Sequence, residues 1–109
     1  MKRMTLEALL KMTEVPVLVK FGAVWCAPCR AMAPILESIA SSWEGDIDLW
    51  ELDVDDDPET ANKWTVRSIP TLVLIDADGE ELARMVGAQT KTSIETMLYR
   101  FFENPQGDT

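Results

Sequence analysis

Histidine is absent from this chain of 109 residues, and cysteine occurs only twice. A tetrahedral zinc site takes four ligands, so no metal is expected here unless two subunits share one site. No apolar run approaches the roughly 20 residues of a membrane span. Positive charge is scarce as well: ten Lys and Arg stand against nineteen Asp and Glu, a net charge of −9. That balance disfavours nucleic acid and anionic membrane surfaces as partners. Glycine is sparse, with five residues, while 47% of the chain is hydrophobic. One compact domain over residues 1–109 is therefore expected, with a polar tail from about residue 104. Repeats and linkers are lacking. Met1-Lys2-Arg3-Met4 carries the charge of a signal peptide, but Glu7 and Lys11 break the apolar positions and no small-residue cleavage site follows. The expectation is a cytoplasmic monomer. In that compartment a lone pair of nearby cysteines is more often catalytic or metal-binding than a structural staple.

What is present centres on Trp25-Cys26-Ala27-Pro28-Cys29-Arg30, which holds both cysteines. The apolar run Val15–Phe21 before it reads as a buried strand, broken only by Lys20, and a helix-periodic run from Met32 to Trp43 follows. The cysteines thus fall at a strand-to-helix turn. Positions i and i+3 share a helix face, so the two sulfurs can close a small disulfide ring.

The remaining elements follow from pattern. Thr5 caps a short amphipathic helix that presents Leu6, Leu9, Leu10 and Met12. Pro34 kinks the helix after the cysteines, and Gly45 ends it. Ile47–Val54 alternates as a second strand. Asp55-Asp56-Asp57-Pro58 opens a third helix that runs to about Trp64. Leu72–Asp76 and Glu81–Val86 form an antiparallel pair around an Asp78-Gly79 turn. Thr92 with Glu95 is expected to box the start of a last helix whose apolar face is Ile94, Met97, Leu98, Phe101 and Phe102.

In this order of elements the chain resembles the thioredoxin family over nearly its whole length. Trp25-Cys26-Ala27-Pro28-Cys29 is similar to the family's WCGPC with Ala for Gly, and Pro34 matches the kinking proline. Ile69-Pro70-Thr71 matches the cis-proline loop and Gly87 a glycine of the substrate groove. The resemblance implies an α/β/α sandwich with a mixed central sheet and four helices. It implies Cys26 as the exposed nucleophile and Cys29 as the resolving thiol, with no cofactor beyond that redox pair. Substrate docking is expected on Trp25, Ala27, Pro28, Ile69, Pro70, Gly87 and Ala88. The partners implied are proteins with disulfides and a thioredoxin reductase or equivalent electron donor. A disulfide oxidase or isomerase with a shifted potential is the alternative, as is a docking module whose redox pair is incidental.

Three further positions depart from the family. A buried aspartate six residues before the first cysteine is replaced by Lys20, and the lysine beside it on the next strand by Glu51. This pair is expected to support proton transfer at Cys29; the competing reading has Lys20 reach solvent and fill space. Gly22 replaces a bulky aromatic, which predicts looser packing under the turn. Too few residues precede Thr5 for the family's first strand, so a sheet of about four strands is expected, with Ile47–Val54 as an exposed edge.

Overall fold

The computed structural model describes residues 5–102. Its elements are α1 (Leu6–Met12), β1 (Val17–Gly22), α2 (Ala27–Ala31), α3 (Ala33–Ser42), β2 (Asp48–Asp53), α4 (Pro58–Lys63), β3 (Thr71–Ile75), β4 (Glu81–Val86) and α5 (Lys91–Tyr99). The strands form one sheet in the order β2-β1-β3-β4. β1 runs parallel to β2 and antiparallel to β3, and β3 pairs antiparallel with β4.

Every residue of β1 and β3 is buried, because these central strands are covered on both faces. Successive side chains point to opposite faces and divide the core in two. Leu18, Leu72 and Leu74 pack with Met32, Leu36, Ile39 and Trp43 of the α3 side and with Ile94 and Leu98 of α5. Val17, Val19, Phe21, Val73 and Ile75 pack on the opposite face with Leu6 of α1 and Ala61 of α4. The result is the three-layer α/β/α sandwich, with the mixed four-stranded sheet in the middle. α2 and α3 are the two halves of one kinked helix. Pro34 lies in the first turn of α3, just past the break at Met32, as its missing N–H dictates.

Capping follows the sequence at two helices. The Thr5 hydroxyl accepts from Ala8 N, and the Asp57 carboxylate accepts from Thr60 N ahead of Pro58. Lys63 of α4 reaches Glu7 of α1 at 2.7 Å, and that hydrogen bond holds the Glu7 carboxyl below the usual carboxylate value. On β4, hydrogen bonding to Glu81 raises the already high value of the Arg84 guanidinium.

Four expectations are corrected. The last helix is boxed by Thr90 and Ser93 rather than by Thr92 and Glu95. Glu95 instead accepts from the indole of the buried Trp43 at 3.1 Å, a longer-range bond that periodicity does not reveal. α5 stops at Tyr99, so Phe101 turns outward, while Phe102 stays within the fold and stacks edge-on against Trp43. The hairpin is wider than a two-residue turn: Asp76 Oδ1 accepts from Asp78 N and Glu80 N, and the register shifts between Leu74 and Ile75. Met12 of α1 is exposed. Among the described residues no strand precedes α1, and β2 pairs with β1 alone, which makes it an edge. The polar tail lies outside the described residues.

Candidate active site

β1 ends at Gly22, and the chain turns through residues 23–26 into α2 at one end of the sheet. Cys26 is the N-cap of α2 and Cys29 lies inside its first turn. The two are joined as a disulfide, with their Cα atoms 5.2 Å apart. Cys29 N donates to Cys26 Sγ at 3.3 Å, so a backbone N–H from the helix start is aimed at the first sulfur and not the second. Ala27 and Pro28 are exposed between them.

Both cysteines are buried. Cys26 is 6% exposed and Cys29 1%, so the expectation of an openly exposed first cysteine is corrected to a difference of degree. They cluster with Ala23, and Val54 and Ile69 pack against the group. The Ile69–Pro70 peptide is cis, and Pro70 is buried. Pro70 O accepts from Gly87 N at 2.8 Å, which draws the start of β3 and the end of β4 together beside the cysteine turn. Gly87 has φ 93°, a region costly for any residue with a Cβ. Ala88, next along, is exposed.

Sequence reading missed three features. Trp25 is 65% exposed, and its indole donates to Asp55 Oδ2 at 2.7 Å. Asp55 was legible only as part of an acidic run before a helix. Val24 and Val86 are large exposed apolar side chains, adjoining Trp25 and Gly87. Val24 lies in a short turn with no periodicity to be read by, and Val86 ends β4, where alternation does not show that the side chain stays uncovered.

The charge-swapped pair is assembled. Lys20 and Glu51 are register partners on parallel strands, with Lys20 Nζ 3.5 Å from Glu51 Oε2. The Lys20 side chain is 11% exposed and that of Glu51 55%. Lys20 Nζ also donates to the carbonyl oxygen of Cys29 at 3.2 Å. Lys20 therefore does not simply run out to water. Gly22 reverses an expectation too, since a Cβ there would stand 3.2 Å from both Cβ and Sγ of Cys29 and 3.4 Å from Lys20 Cε. Packing at that point is tight, not slack. Beside it opens a cleft of about 1050 Å³ whose walls include Lys20, Gly22, Cys29, Trp50 and Glu51. Among the described residues no group of His, Cys, Asp and Glu could hold a metal ion.

With this geometry in view, comparison with known proteins is specific. Residues 2–100 match the family model Thioredoxin. Curated proteins named Thioredoxin from Staphylococcus aureus strains MW2 and COL are each 46% identical over 81 residues, covering 74% of this chain and 77% of theirs. A buried pair of cysteines three apart, closed as a disulfide at the start of a helix, on a chain this similar to thioredoxins, is a thiol–disulfide oxidoreductase's reactive centre, and the chain belongs to the thioredoxin family.

Proposed function

We propose that this protein reduces disulfides in protein substrates and is itself returned to the dithiol by a thioredoxin reductase or an equivalent electron donor. The observation that carries the reading is the asymmetry of the pair: a helix-start N–H is directed at Cys26 Sγ, and Cys29 is almost fully buried behind it. Hydrogen bonding to the charged form favours the thiolate, which is the attacking species. Cys26 therefore opens the reaction and Cys29 completes it.

The Cys26 thiolate attacks one sulfur of the substrate disulfide, forming a mixed disulfide and expelling the other substrate sulfur as a thiolate. Cys29 then loses its proton and attacks Cys26 Sγ. The Cys26–Cys29 bond forms, the mixed disulfide breaks, and the second substrate thiolate leaves. Two electrons have passed from the protein dithiol to the substrate disulfide, and the released thiolates take up protons from solvent. The substrate docks as an extended segment along Ile69 and Pro70, on a patch formed by Trp25, Ala27, Pro28, Gly87 and Ala88. The protein acts as a monomer in the cytoplasm.

Reduction of insulin with dithiothreitol as the electron source tests this reading. Catalysed precipitation of the insulin B chain is expected for the native sequence, and the uncatalysed background for Cys26→Ser. Catalysis retained in Cys26→Ser would overturn it.

A further inference from the structure

Lys20 and Gly22 alternate along β1 and therefore face the same side of the sheet, the side on which α2 lies. The Lys20 stem and the Cys29 sulfur converge where a side chain at Gly22 would stand. Two departures from the family pattern thus belong to one arrangement. Glycine lets Cys29 sit close against β1, where a Cβ would crowd its Cβ and Sγ and touch the Lys20 stem, and the Cys29 carbonyl holds the Lys20 ammonium group there. A strand-embedded side chain with two fixed partners loses little more freedom when the site reacts, so its charge is preorganised.

We infer that Lys20 is a positioning and electrostatic residue for Cys29: its ammonium group favours the Cys29 thiolate in the resolving step, in place of a base that removes the proton. This rests on the reading of Cys29 as the resolving thiol. A positive charge within a few ångströms of an acid favours the ionised form, and a poorly hydrated setting strengthens the effect. The proton of Cys29 passes to solvent through the adjoining cleft.

Glu51 moderates the charge from the solvent side, where its exposed carboxylate meets Lys20. The other charged groups around the cleft are Arg30, Asp53, Asp56 and Asp57. Arg30 is turned to Val24 O, Asp53 accepts from Asp55 N and Asp57 caps α4. Asp56 is exposed to water. Lys20 is the charged group among them that is both buried and bonded to Cys29 itself.

Thiolate absorbance titration in a Cys26→Ser background reads Cys29 alone and needs no substrate, so it can fail while insulin reduction succeeds. Lys20→Met is expected to lower the Cys29 ionisation constant by about tenfold, one pKa unit upward, and Lys20→Arg to restore most of it. Circular dichroism checks that each variant is folded. Glu51→Gln, at an exposed position, keeps the test open if Lys20→Met does not fold, and it is expected to move the titration downward. Titrations of folded Lys20→Met and its parent that coincide, or a Glu51→Gln titration that stays in place or moves upward, would overturn the inference.

Discussion

At the scale of single residues, Gly22 shows how one missing side chain shapes the site. A Cβ there would press on Cys29 Cβ and Sγ at 3.2 Å, tighter than about nine in ten real contacts of its kind. Gly22→Ala is therefore expected to destabilise the protein by about 1–3 kcal/mol through overpacking, measured as a drop in the denaturant midpoint. An unchanged midpoint would mean that the turn gives way freely. The cysteines and Lys20 were legible in the sequence because each breaks a local pattern: an apolar strand carries a charge, and a helix start carries two thiols. Pro70 was legible only through the resemblance of Ile69-Pro70-Thr71 to the family's loop. Gly22 was legible as a departure, but its consequence was not. Whether a missing side chain leaves slack or allows close approach depends on what the fold brings to it, here the sulfur of a residue on another element. The Trp25–Asp55 bond, across 30 residues of chain, was unreadable for the same reason.

At the scale of elements, periodicity and breakers located all four strands and the helices to within a residue or two at most ends. The kink at Pro34 and the caps at Thr5 and Asp57 follow from local chemistry, which is why they could be read. The start of α5 could not, because Thr90 and Thr92 both have a polar residue three positions on. The choice was made by tertiary structure: Glu95 is engaged by the indole of Trp43, leaving Ser93 to return the bond to Thr90 N. Thr90→Ala is expected to cost about 1 kcal/mol of stability, whereas Thr92→Ala, at an exposed position without a capping bond, leaves the thermal midpoint nearly unchanged. Equal losses in the two variants would contradict this assignment of the cap.

At the scale of the whole molecule, the sheet order places β1 between β2 and β3 and so brings three separate stretches to one end: the cysteine turn, the Ile69–Pro70 loop and Gly87. The same order sets Glu51 beside Lys20, a pairing that sequence could propose only through resemblance to relatives. β2 remains an edge among the described residues, and Asp48, Glu51 and Asp53 along it set like charges against strand addition by a second chain. The fold thus concentrates its chemistry at one end. The central claim is that two cysteines at that end act in a fixed order. Mass spectrometry of the mixed disulfide formed by Cys29→Ser with a disulfide-bridged peptide tests that order most directly. A single peptide adduct on Cys26 that persists until a reductant is added is the predicted result. Failure to form it, together with an equally rapid adduct on Cys29 in Cys26→Ser, would contradict the account.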